Sequence, residues 1–199
     1  MQIIQVTAAT TTPVSLTQVK QHLGISSNYD DARLMSYLEA AISLVENETN
    51  LCLCPQTWTE VYALFPHGKP IETRRAPIAS ITSLTYYDET NTQQTLVEGT
   101  DYYALLPYKA PAVLTPIGTG ADLWIDWPTE YRYRPDCVQL TYSAGWSTSD
   151  NVWLGPPLAQ HAIKLLVEWM NSGNRGSNDL EIPDSLSRVM APLCYGFYR

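Results

Sequence analysis

Charge is what this sequence has least of. Asp, Glu, Lys and Arg make up 16% of its 199 residues, well below the roughly 25% of an average globular chain. Much of the polar surface must therefore be Thr, Ser, Asn and Gln, which suits a protein with extensive packed contacts. Basic residues are the scarcer sign: 12 Lys and Arg stand against 20 Asp and Glu, a net charge of −8. A protein that grips nucleic acid by neutralising phosphates needs a basic stripe, so this balance argues against one. No apolar run approaches the ~20 residues of a membrane-spanning helix. No basic segment followed by an apolar stretch opens the chain, so export is not expected and synthesis in the cytoplasm is. Cysteine is sparse: Cys52, Cys54, Cys137 and Cys194, in a chain without an export signal, are expected to be reduced, buried thiols rather than a disulfide framework. The Cys52-Leu53-Cys54 pair lacks a second close pair and His22, His67 and His161 stand singly, so neither a metal site nor a cofactor is expected.

What is present is a core. Apolar residues make up 45% of the chain, enough for one domain or a domain with an insertion. The organising stretch is Pro156 to Asn171. Leu158, Ala162, Leu165, Leu166 and Trp169 recur at helical spacing, and Ala159, Ile163, Val167 and Met170 form a second stripe beside them. Only Gln160, Lys164, Glu168 and Asn171, with His161 at their edge, are left for water, so this helix needs cover from at least two directions.

Residues Met1 to Thr12 carry a short apolar run at Ile3, Ile4 and Val6 and read equally as an arm or an edge strand. Ser15 with Gln18 makes a capping box for a first helix bearing Leu16, Val19 and Leu23, and Gly24 stands where it stops. Asn28 to Asp31 offers capping residues for a longer helix with Leu34, Leu38, Ala41, Ile42 and Val45 on one face, ending near Thr49 or Asn50. From Pro55 to Trp146 the texture turns to short Thr- and Tyr-rich segments broken by turn residues. The clearest strands alternate Leu123, Ile125 and Trp127 with Asp122, Trp124 and Asp126, and Val138, Leu140 and Tyr142 with Gln139, Thr141 and Ser143. Less regular candidates are Thr57 to Leu64, Ile81 to Tyr87, Gln93 to Val97 and Asp101 to Leu106. After the organising helix, Asn171 to Asp179 is a Gly/Asn/Ser loop, and Pro183 and Asp184 start a last helix carrying Leu186, Val189, Met190 and Leu193. The expected fold is α+β: a helical core of about four helices from residues 1–54 and 147–199, with a mainly antiparallel β domain, 55–146, inserted into it. The helix from Leu34 to Val45 should then pack on Leu158 to Trp169 across the whole insertion.

Catalytic patterns are thin. Asp122 and Asp126 share a strand face as a glycosidase pair would, but so does Trp124, and a solvated sheet face accounts for all three. Gly118-Thr119-Gly120 lacks the strand-to-helix context of a phosphate loop, no Ser sits in a Gly-x-Ser-x-Gly elbow, and Cys137 or Cys194 with His161 has no supporting spacing. No enzyme is expected. The aromatics Trp124, Trp127, Tyr131, Tyr133, Trp146 and Trp153 are either the core of the β domain or, if exposed, a carbohydrate- or receptor-binding platform.

The succession Gln56-Thr57-Trp58, Arg75-Ala76-Pro77-Ile78, Ile81 to Asp88 (ITSLTYYD), Asp101-Tyr102-Tyr103, Trp127-Pro128, Val138 to Trp146 (VQLTYSAGW), and Pro157-Leu158 with the helix through Glu168-Trp169 and Asn174-Arg175 resembles the head-to-tail connector, or adaptor, proteins of tailed bacteriophages. The Ser15 to Leu23 helix and the ending from Ile182-Pro183 to Pro192 fit the same pattern, whereas Cys194-Tyr195-Gly196 stands where the family more often continues in helix. The resemblance implies a structural virion protein at the head–tail junction, a homo-oligomeric ring of the portal's twelvefold symmetry. Such a ring lies under the portal protein, extends the DNA channel and receives a tail or head-completion protein, while DNA passes without specific binding. It also implies that the β block lies on the outside or rim. The loop around Asn174 and Arg175 and the tail residues Tyr195, Phe197, Tyr198 and Arg199 lack the periodicity to fold alone, which makes them the expected portal or partner contacts. The alternative for the tail is that its aromatics fold back onto the protein's own helices.

Overall fold

The computed structural model describes residues 1–108, 110–117, 127–149, 152–172 and 184–194. In chain order these form β1 (Gln2–Thr7), α1 (Leu16–Leu23), α2 (Asp31–Thr49), β2 (Gln56–Tyr62), β3 (Ile71–Glu72), β4 (Ile78–Tyr87), β5 (Gln93–Leu96), β6 (Tyr102–Leu105), β7 (Val113–Pro116), β8 (Val138–Ala144), β9 (Thr148–Ser149), β10 (Val152–Trp153), α3 (Pro157–Asn171), α4 (Asp184–Met190) and a closing 3-10 turn, Ala191–Leu193. The fold is α+β with antiparallel sheets. Two compact units result: Met1–Ala9 with Pro55–Gly145, and Thr10–Cys54 with Trp146–Arg199. The 20 acidic and 12 basic residues divide evenly, ten and six to each.

In the helical unit, α1 begins on the capping box read from the sequence. The Gln18 amide donates to Ser15 Oγ at 3.3 Å and the Ser15 amide to Gln18 Oε1 at 2.9 Å. Its end is Gly24 at φ 69, a left-handed conformation that glycine adopts without a Cβ penalty. The start of α2 differs from expectation, because Asp30 occupies the cap position without a side-chain cap bond. Its carboxylate instead pairs with Arg33 at 3.1 Å, and the Lys20 ammonium ties α1 to Asp31 at 2.8 Å. Leu34, Leu38, Ala41 and Val45 of α2 are buried. They pack on α3, which turns inward Ala159, Ala162, Ile163, Leu166 and Val167. The two helices meet although the whole β segment separates them in sequence, as their matched stripes require. Further cover for α3 comes from α1 and from α4, whose Leu186 and Met190 are buried together with Leu193 of the 3-10 turn.

The β unit is built on a five-stranded sheet of order β1-β2-β8-β4-β5, antiparallel throughout. β8 lies at its centre with Val138, Leu140, Tyr142 and Ala144 buried and the residues between them half-exposed, the period-2 pattern of the sequence. Residues 1–9, counted with the helices in the sequence reading, belong here instead. The reason is backbone pairing: Gln2–Thr7 hydrogen-bonds along β2 as an edge strand, which settles arm against strand. A second, three-stranded sheet has the order β3-β7-β6. The strand expected over Asp122 to Trp127 lies outside the described residues except for Trp127, which is in no strand.

Glu60, in the middle of β2, is completely buried. Its Oε1 accepts from the Tyr142 hydroxyl at 2.6 Å and from the Arg74 amide at 2.6 Å, and its Oε2 accepts from the Tyr62 hydroxyl. Three donors thus satisfy a carboxylate that would otherwise be intolerable inside a sheet core. Burial and the adjoining carboxylate push the Tyr62 hydroxyl far above its usual pKa, so it donates throughout the accessible pH range.

Candidate interaction surfaces

No arrangement for covalent chemistry emerges among the described residues. The thiols of Cys54 and Cys137 are pushed up in pKa, in each case first by burial, which suppresses the nucleophilic thiolate. Cys52, Cys54 and Cys137 are buried; Cys194 is exposed, with its Sγ 3.6 Å from the Glu48 carbonyl oxygen. Among the described residues no group of three or more His, Cys, Asp or Glu could hold a metal ion, and no helix is long and apolar enough to cross a membrane. Asp122 and Asp126 lie outside the described residues.

The aromatic cluster divides. Trp127 is internal: its ring stacks on Phe65 at 5.2 Å between centroids, Tyr86 and Tyr131 meet the same Phe65 edge-on, and its Nε1 donates to the Lys69 carbonyl at 2.9 Å. Trp146 is likewise buried. Tyr133 is 77% exposed, while Trp124 and the Trp153 side chain are outside the description. Two of the indoles that a flat platform would need are therefore core residues, spent on packing and on a backbone hydrogen bond.

Among the described residues, three surfaces carry apolar side chains that the units leave open. The first lies on α3, where Leu158, Leu165 and Trp169, at intervals of one and two turns, are only half-buried. The second is the outer face of β6. Tyr103 is 63% and Leu105 66% exposed, and they register with the half-exposed Thr115 and Val113 of β7. Exposed Leu106 and Tyr108 follow on the same chain, and Val97 precedes the strand. Sequence reading found this strand but not its surface. The signal was there: in Asp101-Tyr-Tyr-Ala-Leu-Leu-Pro-Tyr108 both alternating faces are apolar, whereas a sheet covered on one side needs only one. The third is the border strand β1, where Ile4 and Val6 are exposed. All six residues named from sequence as portal or partner contacts, Asn174, Arg175, Tyr195, Phe197, Tyr198 and Arg199, fall outside the described residues, so their surroundings are not assigned.

Part of the sequence and nearly the whole fold are similar to known proteins. Residues 13–98 match the family described as phage gp6-like head-tail connector protein. The fold is similar over 97% of the chain to a subunit in the neck of an empty gene transfer agent particle computed with C6 symmetry, at a TM-score of 0.73 with 19% identity and 95% of that chain covered. A chain of the native gene transfer agent virion aligns over 97% of this chain and 95% of its own, with TM-score 0.71 and 21% identity. A chain of the native particle's neck computed with C12 symmetry aligns over 97% and 94%, with TM-score 0.71 and 20% identity. No curated protein sequence matches.

Proposed function

We propose that this chain is a phage-type head-tail connector protein, a reading supported by the family match and the fold, and that it forms a ring beneath the portal, extends the DNA channel and receives the next head-completion or tail protein. The observation that carries the reading is the coincidence of a family match in the first half of the chain with a neck-subunit fold along nearly all of it. The physical character is consistent. A chain with 16% charged residues, half-buried apolar positions on α3 and an apolar sheet face is suited to packing against neighbours. Twelve copies, the symmetry of the native gene transfer agent neck, would match a dodecameric portal. In this reading the protein is made in the host cytoplasm and resides at the head–tail junction, with the β unit at the rim of the ring.

The net charge of −8 is shared equally by the two units, so neither has the excess of basic residues that would favour holding DNA in the channel. The isolated protein is expected to show no salt-sensitive binding to duplex DNA. Fluorescence anisotropy with a labelled duplex tests this, and micromolar binding that weakens steeply with salt would contradict a channel through which DNA slides.

Portal contacts are assigned to the segment around Asn174 and Arg175 and to Tyr195, Phe197, Tyr198 and Arg199. Tyr and Arg are among the residues that dominate interface hot spots, and each such aromatic anchor contributes on the order of 2 kcal/mol, repeated around a ring. Deleting Tyr195 to Arg199 should leave the fold intact and abolish capping of DNA-filled heads. Wild-type capping by the truncated protein would remove the tail from the portal contact.

A further inference from the structure

We propose that neighbouring copies of this chain join edge to edge, the β1 strand of one copy adding to the uncovered half of β4 in the next. The inference rests on the ring reading above and deepens it by naming the subunit contact. The five-stranded sheet has β1 at one border and β5 at the other. β5 pairs only with Leu84 to Tyr87, so Ile78 to Ser83 has no strand beside it on that side among the described residues. The border is therefore stepped, with a lane six residues long and Ala79, Ser80 and Thr82 exposed along it. β1 is also six residues long and, apart from Ile3, exposed.

Direction agrees with length. Every pairing from β1 through β2 and β8 to β4 is antiparallel, so β1 runs opposite to β4. A copy related by the small rotation of a many-membered ring keeps nearly the same strand directions, and its β1 arrives antiparallel to β4, the slightly more stable pairing. Because two different borders meet, the contact is heterologous, the kind that closes into a ring.

Charge points to the same occupant. Neither Gln2–Thr7 (QIIQVT) nor residues 78–83 (IASITS) carries a charge or a proline. In a chain of net charge −8, this junction brings copies together without opposing like charges. Protected edges in natural sheets usually hold lysine or proline, or a bulge. Here only bulges occur, between Gln5 and Thr7 of β1 and at Ile78/Ser80 and Ile81/Ser83 of β4. Bulges discourage flat, uncontrolled stacking of free copies, yet nothing on either strand forbids pairing. A single six-residue strand junction buries well under the ~1,000 Å² that an independent interface requires, so the free protein is monomeric in dilute solution. Pairing follows when a ring template holds copies side by side and raises their effective concentration.

The test joins the two borders chemically. In a Cys194→Ser background, which removes the exposed native thiol, Gln5→Cys and Ser80→Cys are combined and particles assembled with this chain are treated with a short bis-maleimide. A ladder of linked copies up to ring size is expected from particles, and none from either single-cysteine chain or from dilute free protein. A ring visible by cryo-electron microscopy with its β1 and β4 borders apart and no ladder overturns the pairing while leaving the ring reading standing. Absence of any ring removes both. As a second arm, Thr82→Lys, at an exposed position, should leave the unfolding midpoint unchanged and lower incorporation into particles at least about tenfold; incorporation at the wild-type level overturns the proposal.

Discussion

Replacing Glu60 with alanine is expected to cost the β unit about 2–4 kcal/mol. The substitution strands three donors at once: the Tyr142 hydroxyl, the Tyr62 hydroxyl and the Arg74 amide, all of which end on this one carboxylate. The fully buried Tyr142 hydroxyl loses the most, about 1–3 kcal/mol, whereas Tyr62 is half-buried and Arg74 is an exposed residue, so water replaces part of what those two donors lose. Glu60→Gln separates the hydrogen-bond contribution from that of the charge. Its amide oxygen can still accept from Tyr142 and Arg74, but its NH2 meets a Tyr62 hydroxyl that must then turn from donor to acceptor. A smaller loss, about 1–2 kcal/mol, is expected. Urea unfolding followed by tyrosine and tryptophan fluorescence measures both. An alanine variant within about 1 kcal/mol of wild type would show that the network is dispensable.

The second large effect belongs to the helical unit. Leu166 of α3 is fully buried, in the face that packs against α2. Leu166→Ala should destabilise this unit by about 2–5 kcal/mol, the sum of lost transfer energy and the cavity left in a packed helix pair. Leu165 is its control. One residue away on the same helix it is only half-buried, so Leu165→Ala should cost about 1 kcal/mol or less in the free protein. Its larger effect should fall on assembly if the half-open stripe faces a neighbour. Thermal unfolding of the two variants decides the ranking, and equal losses would mean that the stripe of Leu158, Leu165 and Trp169 is sealed within the unit.

The helices were legible because their determinants are local: Ser15 and Gln18 cap each other, Gly24 ends α1, and the apolar positions of α2 and α3 repeat at helical spacing. β8 was legible for the same reason, since alternation is written into Val138 to Ala144. Glu60 was not. A charged residue in a strand reads as outward-facing, and what lets it point inward is supplied by Arg74 and Tyr142, distant in sequence and neighbours only after the sheet has formed. β3 and β7 escaped because two and four residues among prolines carry no period to detect. For β1, the run Gln2 to Thr7 held the right residues for a strand, but its partner Gln56–Tyr62 lies some fifty residues away, across both helices. The interaction surfaces were the least legible part. Composition announced that contacts exist, but which apolar residues of Asp101 to Tyr108 stay outside depends on the packing of the finished sheet.

Cryo-electron microscopy of particles carrying this protein, compared with particles lacking it, tests the connector reading most directly. A closed ring of twelve copies on the portal axis is expected, present on DNA-filled heads and missing when the chain is absent, with heads that then fail to join tails. Density for this chain at any other position in the particle, or complete head–tail joints formed without it, would contradict the account.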